Sequence, residues 1–335
     1  MKKVISMAGI MFLSMLMVHT VSAEPIKLKF ATMDPAQTPP VVKAYQPWIE
    51  RMNTASAGTL DIEVYPGGSL GRDPRLQLKL VIDGVADMAF IVPVYTPGRF
   101  ADDEVFNLPF TATNGMEAAK ASNRMLKKGL LSGYEDVHVI AHYASEIYYL
   151  HSTYPILNPQ DLKGHKLRAL NKYQSDLFKN VGAIGISMPG PQIAENLSRG
   201  VIDGVICDNS AMFTFRIADV ARNHLLVPFG VTSLAVVMNK QKYENLPPQA
   251  KAAIDEHGED IVELFTKAIQ EDIRRGMDKL EADPKSQITQ PNDDTLKLWK
   301  ETIQPVTDQW VAENPRRESL LKAYLEELEQ IRSGN

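Results

Sequence analysis

The sequence predicts an α/β protein built of two lobes, and three observations carry that prediction. Runs of strand length alternate with runs whose apolar residues fall at helical spacing, the pattern of parallel strands joined by crossover helices. The same alternation begins a second time after Glu146. The chain, 335 residues long, also has room for two domains at roughly 100–200 residues each.

The elements follow in order. Met1-Lys-Lys precedes an apolar run, residues 4–18, and then Val21-Ser-Ala23. Together these read as a secretory signal cleaved near Ala23, which predicts a periplasmic protein. The run is short for a membrane span, and no later stretch reaches about 18 uninterrupted apolar residues. Losing Lys2 and Lys3 takes the formal charge from -5 to -7, which argues against nucleic acid or an anionic membrane surface as main partner. Cys207 is the only cysteine, so the core rather than an intrachain disulfide must supply stability.

Residues 26–32 alternate Ile, Leu and Phe with Lys and suit a strand. Residues 40–55 place Val41, Tyr45, Trp48, Ile49 and Met52 at helical spacing. Residues 60–65 read as a second strand, 73–83 as helix and 86–94 as a buried strand. In the second unit, 147–152, 167–170, 184–188 and 205–207 read as strands, and 173–181 and 192–199 as helices. After Asn245-Leu-Pro-Pro248 an amphipathic pattern runs to about Ala282. As one helix it would be about 50 Å long and could pass from lobe to lobe; a break at His257-Gly258 would make it two. Residues 295–331 are helical, with packing and solvated faces.

The chemistry centres on Asp161-Leu-Lys-Gly-His-Lys-Leu-Arg-Ala-Leu-Asn171. A buried strand over 167–170 carries Arg168 inside, and a buried guanidinium needs a partner. Asp161 lies across the turn and Asp176 in the next helix, so neither is an obvious one. Two readings stay open: Arg168 pairs with a distant acid, or it holds a carboxylate ligand bidentately.

Asp208 and Asn209 follow a strand at its carboxyl end, where α/β sheets present ligands. Either could accept from a ligand hydroxyl, and Asp208 could instead cap a helix. Tyr95 and Arg99 follow a strand of the first unit and could close on the ligand from the opposite side. Phe213 and Phe229 are candidate pocket walls or core residues. Met188 and Cys207 are apolar neighbours, and no His or Asn is placed to make Cys207 a nucleophile. There is no Gly-x-Ser-x-Gly, His-Glu-x-x-His or Walker loop and no clustered metal-ligand set, so neither catalysis, a cofactor nor a metal is expected.

The order of segments resembles the DctP-type solute-binding proteins of TRAP (tripartite ATP-independent periplasmic) transporters. Tyr65-Pro-Gly-Gly-Ser-Leu-Gly71, Val81-Ile-Asp-Gly-Val-Ala-Asp-Met88, Thr96-Pro-Gly-Arg-Phe100 with Leu108-Pro-Phe110, the Asp161–Arg168 stretch, Ser187-Met-Pro189 and Arg199-Gly-Val-Ile-Asp-Gly204 follow at the family's spacings. Each piece is weak alone; their ordered combination is specific. The resemblance implies a type II-like, two-lobed periplasmic binding protein with hinge-crossing strands and a long lobe-spanning helix. Residues 24–145 and about 234–273 would form one lobe, and about 146–233 and 274–335 the other.

It also implies a monomer that binds a small carboxylate and delivers it to TRAP membrane permease subunits. Arg168 falls on the arginine that binds the substrate carboxylate in the family, and Asn171 on a position whose amide often contacts ligand. In sialic-acid-binding members a second arginine stands where this chain has Tyr148, an asparagine where it has Cys207, and an aromatic residue where it has Gly190. One cation with aromatic surroundings suits a monocarboxylate, such as a 2-oxo, 2-hydroxy or aromatic acid, better than succinate, fumarate or sialic acid. Two alternatives are an exported enzyme using Tyr148 or Asp208 as acid or base, and a receptor that feeds a membrane sensor.

Overall fold

In the computed structural model, which describes residues 24–334, the alternation at the start of the chain becomes β1 (Ile26–Ala31), with Leu28 and Phe30 buried and the lysines outside. The expected export signal, residues 1–23, lies outside the described residues. Next come α1 (Gln46–Ala55), β2 (Leu60–Tyr65), α2 (Gln77–Ile82), β3 (Met88–Ile91), α3 (Gly115–Lys127) and β4 (Val137–Ala144). The second unit holds β5 (Tyr148–Ser152), β6 (Lys166–Ala169), α4 (Lys172–Asn180), β7 (Ile184–Ser187), α5 (Ile193–Ser198), β8 (Gly204–Asp208), α6 (Asn209–Thr214) and β9 (Asn223–Leu225). The chain ends with β10 (Ser233–Asn239), α7 (Lys240–Glu244), α8 (Pro248–His257), α9 (Asp260–Ala282), β11 (Gln287–Thr289), α10 (Asp293–Ala312) and α11 (Pro315–Arg332).

Two mixed sheets result, in the orders β2-β1-β3-β10-β4 and β11-β9-β5-β8-β6-β7, and each heads one lobe. The expectation of parallel pairing holds for β1 with β2 and β3, and for β6 with β7 and β8. It fails for β10, antiparallel to β3 and β4, and for β5, antiparallel to β8 and β9. Those strands enter from the other lobe instead of through a crossover helix, so nothing forces them to run parallel.

The two crossings, β4 to β5 and β9 to β10, are bonded to each other. Ser145 N–H donates to Thr232 O at 2.9 Å, Tyr148 N–H to Gly230 O at 2.8 Å and Phe229 N–H to Tyr148 O at 2.9 Å. Gly230 has φ +81°, and a Cβ there would lie 2.7 Å from the Asn107 backbone. Only glycine fits this hinge position.

The long helical pattern is two helices, α8 and α9, parted at Gly258-Glu259. The break leaves carbonyls unpaired, and the Trp48 indole N–H donates to the His257 and Gly258 oxygens at 3.0 and 3.1 Å. Although shorter than the single helix, α9 spans about 35 Å. It packs on the 40–45 turn and β4 of the first lobe and on α6 and β11 of the second.

Helix α11, expected with the second lobe, packs instead against α3 and the 101–107 turn of the first. Ion pairs explain this: Arg316–Asp102 at 2.8 Å, Arg317–Glu104 at 3.1 Å and Arg332–Glu117 at 2.7 Å.

Where α9 reaches the second lobe, the Phe213 ring lies against Gly276; a Cβ there would sit 2.3 Å from the ring. Gly276→Ala should therefore destabilise by about 1–3 kcal/mol through overpacking, although alanine is ordinarily the better helix former. Adding Phe213→Leu should restore much of the loss. Urea unfolding of the three proteins checks this, and a Gly276→Ala variant more stable than the parent would contradict the packing.

Candidate functional site

The carboxyl ends of strands from both sheets and the hinge ribbon border about 680 Å³ of empty space between the lobes, part of it open to solvent. Met33, Asp34, Phe90 and Tyr95 face it from the first lobe, with Phe265 and Ile269 from α9. Glu146 and Thr232 line it at the hinge, and Tyr148, Arg168, Cys207, Asp208 and Phe215 from the second lobe.

Arg168 projects from β6, whose Leu167, Arg168 and Ala169 are all buried. Its side chain is among the largest buried in the protein, and the residue is only 2% exposed. The Nε–H donates to Met188 O at 2.9 Å, and Nη2 lies 3.4 Å from the Tyr95 hydroxyl. Among the described residues no carboxylate pairs with it. Asp161 accepts from the backbone N–H groups of Leu157 and Asn158, and Asp176 pairs with Lys172. Among the described residues, the remaining donors of the guanidinium fork make no hydrogen bond to protein.

Tyr95 is the first-lobe residue that meets it. The phenol oxygen accepts from Gly190 N–H at 2.9 Å as well as from Arg168, so it ties the lobes together and keeps its own proton free to donate. Tyr148 lies on β5 opposite Asp208 on β8. Burial, with Asp208 nearby, pushes its phenol well above the usual range, and burial pushes the Cys207 thiol up strongly. Neither is a ready base or nucleophile near neutral pH.

Three carboxyls share the cavity with this one cation. Burial pushes Asp34 up to about 6, against hydrogen bonds from Tyr45 and Thr32. Asp208 is likewise pushed up to about 6 by burial, opposed by the Ala211 N–H and aided by the Glu146 charge. Glu146 is raised by burial, against donors from Gly115 N–H and Gln270. A second anionic group on a ligand would find no further cation here.

The other sequence candidates sort clearly. Asp208 lines the cavity and also caps α6, accepting from Ala211 N–H at 2.9 Å. Asn171 caps α4 through Gln174 N–H and donates to Asn107 at 2.7 Å. With Met188 it faces a separate crevice beyond Tyr95. Arg99 turns away, donating to Gly133 O at 2.8 Å and pairing with Asp136 at 3.3 Å. Phe229 is core, edge-on to Trp299 at 5.4 Å. Phe213 packs on Gly276, and Asn209 starts α6 with a buried, unpartnered Oδ1; neither is in the cavity wall.

Sequence reasoning missed Asp34, Glu146, Phe215 and Phe265. Asp34 follows the end of β1 as Asp208 ends β8, so the rule that singled out Asp208 applied to it too. Phe215 fills the space opened by Gly190, its ring 2.9 Å from where a Cβ would lie.

A carboxyl whose folded pKa exceeds its unfolded value near 4 costs stability once ionised. Asp34 and Asp208 therefore withhold stability above about pH 6 and return it as pH falls from 6 toward 4. Between pH 7 and 5 each should contribute about 1 kcal/mol of stabilisation. Thermal melts of the empty protein should rise over that interval, and rise less in Asp34→Asn. An identical rise in the variant would show that Asp34 is not the titrating group.

Comparison with known proteins agrees with this geometry. The family profile of DctP, bacterial extracellular solute-binding protein family 7, matches residues 30–314. The C4-dicarboxylate-binding periplasmic protein DctP of Rhodobacter capsulatus is 24% identical over 307 residues, 91% of this chain and 92% of that one. A marine metagenome TRAP solute-binding protein specific for aromatic acids, solved with metahydroxyphenylacetate, superposes with a TM-score of 0.84 at 26% identity, covering 91% of this chain and 99% of that one. A TRAP solute-binding protein of Rhodoferax ferrireducens with copurified benzoate gives 0.83 at 26% identity, covering 91% and 98%. This chain therefore belongs to the DctP family, the solute-binding proteins of TRAP transporters.

Proposed function

We propose that this protein is a periplasmic transport receptor that holds one organic monocarboxylate through Arg168, closes over it and delivers it to a TRAP membrane permease. The observation that carries the reading is the buried guanidinium with no acidic partner. Leaving such a charge uncompensated costs several kcal/mol, and a carboxylate in the cleft would remove that cost with a two-pronged, charge-assisted contact.

The body of the ligand is aromatic or otherwise apolar. Phe90 and Phe265 line the first-lobe side and belong to a cluster with Tyr45, with ring centroids 5.8 to 6.3 Å apart, while Phe215 and Tyr148 stand opposite. The metahydroxyphenylacetate and benzoate of the two solved relatives are acids of this kind. The Rhodobacter capsulatus relative is named for C4-dicarboxylates. A second carboxylate here would face Asp34, Glu146 and Asp208, and Arg99 is held outside by Gly133 and Asp136.

The chain's own groups perform the binding. Arg168 orients the carboxylate, and the Tyr95 phenol, already accepting from Arg168 and Gly190, donates its proton to the same anion. Because Tyr95 and Gly190 lie on opposite lobes, that contact forms only when the cleft is shut. The bonded ribbon of the two crossing segments would serve as the hinge of that closure. The raised Tyr148 and Cys207 favour holding over catalysis.

Arg168→Ala should weaken binding of an aromatic monocarboxylate at least about 100-fold, and Arg168→Lys should recover little because an ammonium lacks the fork. Titration calorimetry on the folded variants measures this, with succinate as competitor. Binding undiminished in Arg168→Ala would remove the anchor, and tight succinate binding without aromatic-acid binding would reverse the ligand class.

Small-angle scattering should show a smaller radius of gyration with saturating ligand. Tyr95→Phe should shift the bound population toward the open form and weaken affinity about tenfold. An unchanged radius at saturation would mean that the cleft does not close.

A further inference from the structure

We propose that Asp34 reads a hydrogen-bond donor on the ligand, so that the acid carried by this protein bears a hydroxyl or comparable donor at the end remote from its carboxylate. This rests on the carboxylate reading of Arg168 and extends it to the other end of the molecule.

Of the cavity's three carboxyls, Asp34 is the one on the first lobe, across from Arg168. Glu146 lies at the hinge, where Gly115 N–H and the Gln270 side chain hold its carboxyl down against the effect of burial. Asp208 accepts from Ala211 N–H through Oδ1 as the cap of α6, and it stands on the same lobe as Arg168. Asp34 differs. Both of its hydrogen bonds, from Tyr45 Oη at 2.9 Å and Thr32 Oγ1 at 3.2 Å, end on Oδ2. A third contact, 3.1 Å from the Asp34 N–H to Thr32 Oγ1, only fixes the turn.

Oδ1 receives no hydrogen bond among the described residues, although Asp34 is only 5% exposed and lines the cavity. Met33, Phe90 and Phe265, which line the first-lobe side of the cavity, carry no side-chain N–H or O–H donor, the Tyr143 phenol close enough to feel the Asp34 charge makes no hydrogen bond, and the lining cation stands on the opposite lobe. With the cleft open, water serves Oδ1. With the cleft shut, a ligand lacking a donor would strand a buried acceptor, and a ligand bearing one would satisfy it. Arg168 and Asp34 thus form a two-ended gauge, an anion site on one lobe and a donor site on the other.

The test is a set of matched acids: phenylacetate, its 3- and 4-hydroxy derivatives, the corresponding methoxy derivatives, and the aliphatic pair pentanoate and 5-hydroxypentanoate. Calorimetry on the wild-type protein should show at least one hydroxy acid binding about tenfold or more tighter than its donor-free counterpart. Asp34→Asn keeps a carbonyl for Tyr45 and Thr32 and turns its NH2 group to the cavity. The hydroxy-over-methoxy ratio should then fall to near one or invert, which loss of packing alone would not produce.

A wild-type protein that binds these acids without distinguishing hydroxy from methoxy or unsubstituted forms overturns the proposal. So does an Asp34→Asn variant that keeps the preference. If Arg168→Ala binds the acids as well as wild type, it is the carboxylate anchor that fails, whatever the Asp34 ratio shows. If no acid of either series binds, both readings fall.

Discussion

A guanidinium held inside a protein without a carboxylate is the constraint on which this structure turns. Arg168 sits in β6 between β7 and β8, where its stem packs as part of a buried strand and its head opens toward the other lobe. Met188 O and the Tyr95 hydroxyl engage part of the fork and fix its plane, and its other donors bond to no group among the described residues. In the receptor proposed above, the empty protein would carry that cost and an arriving carboxylate would remove it. Binding energy is thereby concentrated at one point, and the rest of the fold has to bring two lobes to that point.

The hinge answers that need with few moving parts. Two crossing segments are bonded to each other through Ser145, Tyr148, Phe229, Gly230 and Thr232, so they flex as one ribbon. Asn107 donates to Val231 O at 2.6 Å and accepts from Asn171 at 2.7 Å, which ties the ribbon to the second lobe beside the site. Helix α9 runs along both lobes and α11 is clamped by arginines to the first. In the proposed closing motion the helices would limit the directions in which the lobes part, and Tyr95 would define the shut position.

Charge inside the cleft is asymmetric, and the asymmetry selects. One cation and three carboxyls line the same space. Burial raises their pKa values, but at about 6 Asp34 and Asp208 remain mostly ionised near neutral pH, so in the proposed receptor they would repel a second anion and offer acceptors instead. This is selection by the penalty placed on wrong ligands as much as by contacts with the right one. The two acids that look alike in sequence position are held differently: Asp208 caps α6 through Oδ1, whereas Asp34 is held by two hydroxyls on Oδ2.

Much of this was determined locally and is legible in the chain. Period-two and helical spacings place β1, β2, β6 and β7 to within a residue or two, because side-chain burial along a strand or helix is written in consecutive residues. The ordered motifs mark the family and single out Arg168. Tertiary structure alone decided the rest. The antiparallel strands β5 and β10, the break before α9 and the placement of α11 depend on partners far away in sequence. So does the fate of individual side chains: Arg99 is drawn outward by Gly133 and Asp136, Phe229 into the core by Trp299, and Phe215 inward by the space beside Gly190. A cavity between two lobes is lined by residues whose directions are set by packing across it, and local pattern does not record which neighbour a side chain will meet.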